Sequence, residues 1–227
     1  SSDLSIIAVR GGDMAALKTA IAAPGGLEAQ ERMSQRTALH FAAESGNMEA
    51  LKMLLDAKAN PNAQDRTGKT PVTIAAERGR AEVLKALIAA GGDPNTRDQV
   101  QGSPLLWASG IGTPETVTIL LGAGAKPNIQ DVNGMTPLMW AAGVGKPETV
   151  GMLLQKGADP KATDKLTGET ALMRALRTGK IESVKLLMAS NPDLTTKNSL
   201  GMTPFLVVCA YGELDKIKML IDAGADK

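Results

Sequence analysis

Aromatic residues make up only 2% of this 227-residue chain: two Trp, two Phe and one Tyr. So few large rings do not build one thick core, and the abundant Ala, Gly, Leu and Met suit thin helices packed closely. Histidine occurs once, at His40. That excludes His-rich metal sites and the H-E-x-x-H arrangement, which needs two imidazoles on one helix face. Cysteine also occurs once, at Cys209, so the chain has no internal disulfide framework. A lone thiol does not fix the redox compartment. Net charge is nearly absent, with 25 basic against 24 acidic residues. Bulk attraction to nucleic acid or to a membrane surface is thereby excluded as a driving force. No apolar run approaches the ~18 residues needed to cross a bilayer, and no signal peptide is visible.

What the chain has instead is a period. Thr37-Ala-Leu-His, Thr70-Pro-Val-Thr, Ser103-Pro-Leu-Leu, Thr136-Pro-Leu-Met, Thr170-Ala-Leu-Met and Thr203-Pro-Phe-Leu follow one another at spacings of 33, 33, 33, 34 and 33. A Gly stands nine residues after each start: Gly46, Gly79, Gly112, Gly145, Gly179 and Gly212. Each unit reads as helix, turn, helix, extended loop. Thr or Ser is a good N-cap, and Pro after it sits at N1, where its missing N–H costs nothing. Glu49, Glu82, Glu115, Glu148 and Glu182 open the second helices and favour the positive end of the dipole. Gly91, Gly124, Gly157 and Gly224 fit left-handed C-caps. Asp65, Asp98, Asp131 and Asp164 recur once per unit, which turn formation explains better than calcium binding.

These letters resemble the ankyrin repeat family: T-P-L-H-x-A-A-x-x-G, two aliphatics, then A-G-A-D-x-N-x-x-D, six times over nearly the whole chain. The resemblance implies an all-α solenoid of paired antiparallel helices with β-hairpin finger loops. The expected divisions are a capping repeat over 1–30, full repeats over 31–64, 65–97, 98–130, 131–163 and 164–197, and a last repeat over 198–227. The capping repeat has two helices and a Gly turn but no Thr-Pro start. One extra residue near Lys165-Leu166-Thr167 predicts a larger fifth finger. Phe205, Val208 and Cys209 occupy packing positions, and Cys209 reads as a buried packing thiol. The absence of a polar outer face predicts an under-capped last repeat and a natural chain that continues beyond Lys227.

Little suggests catalysis. His40 stands where the family uses a histidine to brace adjacent loops, no phosphate-binding P-loop occurs, and no carboxylate pair is marked out for acid–base work. The chain is therefore expected to be a non-enzymatic protein-recognition module or scaffold, without cofactor or metal. It is expected to be monomeric, without nucleic-acid binding or membrane insertion. The Met-rich "TPLMWAA" style is similar to bacterial ankyrin proteins, and cytoplasm and periplasm both stay open.

In this family partners dock on finger tips and on the exposed face of the first helices. Residues at i, i+3 and i+4 from the slot after the "His" position share such a face. They are Phe41, Glu44, Ser45; Ile74, Glu77, Arg78; Trp107, Gly110, Ile111; Trp140, Gly143, Val144; Arg174, Arg177, Thr178; and Val207, Ala210, Tyr211. Arg36, Arg66, Lys69 and Arg97 add a basic tendency on the early fingers; Arg174, Arg177 and Lys197 add one late. The sharp expectation is a central apolar patch of Trp107, Gly110, Ile111, Val132, Met135, Trp140, Gly143 and Val144, with Val100 nearby and Tyr211, Arg66 and Arg78 completing the binding face. Exposed apolar patches mark interaction sites, and Trp, Met and Arg dominate hot spots. Arg174 beside Trp140 would add a cation–π contact of ~0.5–2 kcal/mol. Two alternatives stay open: Trps that are simply core, and a hollow for a small lipid-like or aromatic ligand. A third is an auxiliary domain of an enzyme.

Overall fold

A computed structural model describes residues 3–225. The chain divides into two compact units, Ser1–Ala125 and Lys126–Lys227. Unit 1 holds four helix pairs: α1 (Leu4–Gly11) with α2 (Met14–Ala22), α3 (Ala38–Ser45) with α4 (Met48–Asp56), α5 (Pro71–Glu77) with α6 (Ala81–Ala89), and α7 (Pro104–Gly110) with α8 (Pro114–Gly122). Unit 2 holds three: α9 (Pro137–Gly143) with α10 (Pro147–Gln155), α11 (Ala171–Thr178) with α12 (Ile181–Ala189), and α13 (Pro204–Tyr211) with α14 (Leu214–Asp222). In each unit first helices pack on first helices and second helices on second helices.

The start signals work as capping chemistry requires. The hydroxyl oxygens of Thr70, Ser103, Thr136, Thr170 and Thr203 accept from the backbone N–H of Thr73, Leu106, Met139, Met173 and Leu206. Each bond satisfies one of the donors that a helix start leaves unpaired. The short helices are held by what they bury. Leu39, Leu105, Leu138 and Leu172 on first helices, and Leu51, Leu84, Leu120 and Leu153 on second helices, are buried. Burying each contributes on the order of 1.5–3 kcal/mol. No pair closes that core by itself, so stability comes from the stack.

The fingers are tighter than hairpins. Among the described residues the only β features are two isolated bridges, Gln30 with Thr37 and Thr163 with Thr170. Four fingers are instead turns shut by their own aspartate, Asp65, Asp98, Asp131 or Asp164; Glu31 opens the first finger and Asn198 takes the aspartate's place in the last. Asp65 Oδ1 accepts from Thr67 N–H (2.8 Å) and Lys69 N–H (3.1 Å), and the Asp65 N–H donates to the Lys69 carbonyl (2.9 Å). The fifth finger is one residue longer than the three before it: its Asp164 N–H reaches Glu169. Neighbouring fingers are tied by one backbone bond each. Arg66 N–H donates to Ser34 and Gln99 N–H to Thr67 in unit 1, Lys165 N–H to Asn133 and Ser199 N–H to Thr167 in unit 2.

The two end pairs of helices are exposed on one side. The outer side of α1 and α2 is apolar rather than polar: Leu4 and Ile7 are exposed and line a hollow of about 640 Å³ with Ala16 and Ala20. At the other end Cys209 is exposed, not a buried packing thiol. Helix α13 packs on α11 and α14, and Cys209 lies on a side that neither covers. Val208 is buried, whereas Leu206, Leu214 and Ile221 are exposed. The pair is pinned from inside by Lys216, which is buried and donates from Nζ to the Gly179 carbonyl (2.8 Å) at the end of α11. With so little apolar burial, α13 and α14 are expected to exchange their amide protons well before α9–α12. Hydrogen exchange read by mass spectrometry checks this; equal protection of residues 204–222 and 137–189 refutes it.

Candidate functional site

The slot after the "His" position is where the two Trp residues stand, and in both cases the indole is half-buried. In unit 1, Trp107 Nε1 donates to Asp98 Oδ2 (2.7 Å). Asp98 Oδ1 meanwhile accepts from the N–H groups of Val100 (3.1 Å) and Gly102 (2.7 Å) and shuts the third finger. Gly102 makes the arrangement possible, because a Cβ there would come within 2.7 Å of the indole nitrogen. The Lys69 ammonium lies over the Trp107 ring, 4.3 Å from its centroid, and is bonded to Glu77 (2.6 Å). The indole is thus a braced wall at the finger base, neither free in the groove nor sealed in the core. Ile111 beside it is exposed, as is Val100 at the finger tip.

In unit 2, Trp140 lines a hollow of about 270 Å³ with Met135, Met139, Gly143, Val144, Arg174 and Thr178. Val144 and Val132 are exposed, whereas Met135 is buried rather than displayed. Arg174 is held by carboxylates. Its guanidinium donates to Asp164 Oδ2 (3.0 Å) and lies 3.9 Å from Glu169, and Arg177 donates to the same Glu169 (2.8 Å). The arginine therefore tolerates its half-buried slot because a buried carboxylate neutralises it. It gives no argument that the column faces a ligand.

Three further positions of the expected face are corrected. Ile74 and Val207 are buried, because their slots turn into the stack rather than toward the groove. Arg36 is spent internally, bonded to Asp65 (3.1 Å) and Glu44 (3.0 Å), with Arg78 on the other oxygen of Glu44 (2.6 Å). Much of the early basic tendency is thus self-neutralised. Arg66 and Arg97 stay exposed, and Tyr211 is exposed as expected.

One pattern was missed at the level of sequence. At Asp65 and Asp98 the aspartate uses Oδ1 for its turn and offers Oδ2 to a side chain, Arg36 and Trp107; at Asp164 Oδ2 takes Arg174 together with the turn's Glu169 N–H. The signal was available as a spacing of nine or ten residues from Asp98 to Trp107 and from Asp164 to Arg174. Burial alone pushes the Asp65 and Asp164 carboxyls up, but these bonds outweigh it. Asp65 is held below the ordinary carboxylate range, and Asp164 is lowered to about 2. His40 shows the opposite balance: burial lowers it to about 4, against bonds and charges that include the Lys69 carbonyl and Asp65. Its Nδ1 faces the Thr37 N–H (3.1 Å) and hydroxyl (2.9 Å), and its Nε2 faces the Lys69 carbonyl (3.2 Å). The ring thereby staples the first finger's helix to the second finger.

Helix pairs stacked in register, with tied fingers beside them, define a helical-repeat protein. The family model described as "Ankyrin repeats (3 copies)" matches residues 5–98, 79–164, 105–198 and 145–227, and the chain belongs to the ankyrin repeat family. Over 66 residues it is 36% identical to protein phosphatase 1 regulatory subunit 27 of Homo sapiens, covering 29% of this chain and 43% of that protein. The Mus musculus protein of the same name is 36% identical over 61 residues, covering 27% and 40%. The matched part of the chain thus spans less than half the length of either relative. Both are mammalian, so they lend no support to the bacterial style read from "TPLMWAA". Among the described residues no helix is long and apolar enough to cross a membrane.

Proposed function

We propose that the chain is a non-enzymatic recognition module that holds another protein on the face made by its fingers and first helices. Trp140 and its hollow are the anchor in unit 2; Trp107, Gly110 and Ile111 present the corresponding face of unit 1. Arg66, Arg78, Arg177 and Tyr211 lie at the margins. The observation that carries this reading is the hollow beside Trp140, whose rim residue Val144 is about half exposed (49%). Its volume of about 270 Å³ falls below the ~300–1,000 Å³ of drug-sized ligand sites. It suits one inserted side chain of a protein partner better than a separate small ligand. The relatives' name supplies a first partner to test, a protein phosphatase, although the aligned segment is a minor part of each chain.

Trp140→Ala is expected to weaken binding of a captured partner at least tenfold, the scale of a hot-spot residue worth over ~1.4 kcal/mol. Trp107→Ala should weaken it less, because its indole is committed to Asp98 and Lys69. Titration of the partner against both variants, with circular dichroism to verify folding, checks this. Unchanged affinity for both variants removes the reading.

A further inference from the structure

The two last fingers form a second surface in unit 2. We propose that it is a groove for an extended acidic segment of a protein partner bearing an aliphatic anchor; this rests on the reading of the chain as a protein-recognition module. Leu166 and Leu200 stand at the tips of successive fingers and are 68% and 76% exposed. Together with Met202 and the exposed Tyr211 they line a recess of about 260 Å³. The Ser199 N–H to Thr167 carbonyl bond (2.8 Å) fixes the two tips relative to one another. Hence the two leucines form a set pair rather than independent loose side chains.

Charge decides the occupant. Over the fingers and first helices of unit 2, residues 131–144, 164–178 and 197–211, the acidic residues are Asp131, Asp164 and Glu169, and all three are buried. The exposed charged residues there are Lys165, Arg177 and Lys197, all cations. Where the sixth finger's aspartate would add another acid, the chain has Asn198, whose Oδ1 accepts from Leu200 N–H (3.0 Å) and Met202 N–H (2.9 Å) just as the aspartates do. The turn is preserved and the negative charge is gone. Within the recess Arg177 is paired with Glu169 (2.8 Å), so the selection of partner carboxylates falls to Lys165 and Lys197, which flank the two finger tips in sequence and steer acidic groups in with the salt dependence that such steering carries. Finger tips that offer a row of side-chain positions suit an extended segment more than a bulky domain surface.

The test uses the full chain and a fluorescein-labelled peptide of about a dozen residues, rich in glutamate with two spaced leucines. Two control peptides carry lysine for glutamate, or serine for leucine. The acidic leucine peptide is expected to bind, with at least about tenfold weaker binding by either control and a marked loss on raising NaCl. The double variant Leu166→Ser/Leu200→Ser should lose at least tenfold. So should Lys165→Glu/Lys197→Glu, whose exposed positions leave the fold intact by circular dichroism. Trp140→Ala should bind this peptide like wild type. Three results overturn the proposal: no binding of the acidic peptide, equal binding of all three peptides, or a loss confined to Trp140→Ala. The first leaves the Trp140 anchor standing on its own test, and the last assigns the peptide to that anchor instead.

Discussion

Lowering the pH from 6.5 to 4 is expected to cost unit 1 about 3 kcal/mol of stability, and His40→Gln is expected to flatten that loss. In the folded state burial lowers the His40 imidazole to about 4, while in the unfolded chain it protonates near the ordinary value of about 6.5. Between those two values the unfolded state binds a proton that the folded state refuses, so stability falls as pH falls. The depression of about two and a half units corresponds to roughly 3 kcal/mol at 1.36 kcal/mol per unit. The depressed carboxylates of Asp65 and Asp164 overlap the lower end of this window, because their contribution begins to be lost near pH 5 as the unfolded carboxyls protonate; the difference between wild type and His40→Gln isolates the imidazole's share. Because the chain has one histidine, its ring resonance in NMR is unambiguous. A folded-state titration midpoint near 6.5 would falsify the account. Gln suits the replacement because an amide oxygen at N3 still accepts from the Thr37 N–H, as in a capping box.

Asp164→Ala is expected to destabilise unit 2 by about 3 kcal/mol, more than Arg174→Ala. The carboxylate is buried and accepts from Leu166 and Thr167 N–H on one oxygen, and from Thr167 Oγ1, Glu169 N–H and Arg174 on the other. Removing it opens the longest finger of unit 2 and leaves a guanidinium with reduced compensation, the situation that costs 3–5 kcal/mol when a buried pair is broken. Glu169 still faces Arg174 and Arg177, which holds the loss at the lower end. Arg174→Ala leaves the turn shut. Urea unfolding in a Trp107→Phe background makes Trp140 the reporter of unit 2. The double variant Asp164→Ala/Arg174→Ala should cost less than the sum of the singles. A loss under about 1 kcal/mol for Asp164→Ala sinks the argument.

The fold could be read from the letters because local rules and the stack agree at every start. Thr70, Ser103, Thr136, Thr170 and Thr203 each cap a helix, and Val72, Leu105, Leu138 and Leu172, two residues on from the first four, are buried where their spacing puts them. The candidate face was less legible, for physical reasons. Arg36 meets Asp65 across 29 residues, so a basic tendency counted along the chain does not survive pairing in space. Ile74 shares a slot with Trp107 but is small enough to turn wholly inward, and helical phase cannot tell the two apart. Met135, expected at the rim, is buried against the finger it belongs to. Cys209 has the spacing of a packing residue, and spacing carries no information about whether a neighbour covers it. Leu166 was visible only as part of an insertion, yet it is among the most exposed aliphatic side chains described.

The two oxygens of the finger aspartates have a consequence for engineering. At Asp65 and Asp98 Oδ1 alone holds the turn, so the donor on Oδ2 is an exchangeable attachment, and this chain already carries two different donor chemistries there, a guanidinium and an indole. A library that keeps Asp98 and varies residue 107 among donor side chains would rewrite the vocabulary of the surface while leaving its grammar untouched. Gly102 sets the limit of that freedom: where a side chain replaces it, an indole can no longer reach its aspartate by this route, and each graft must carry its own glycine.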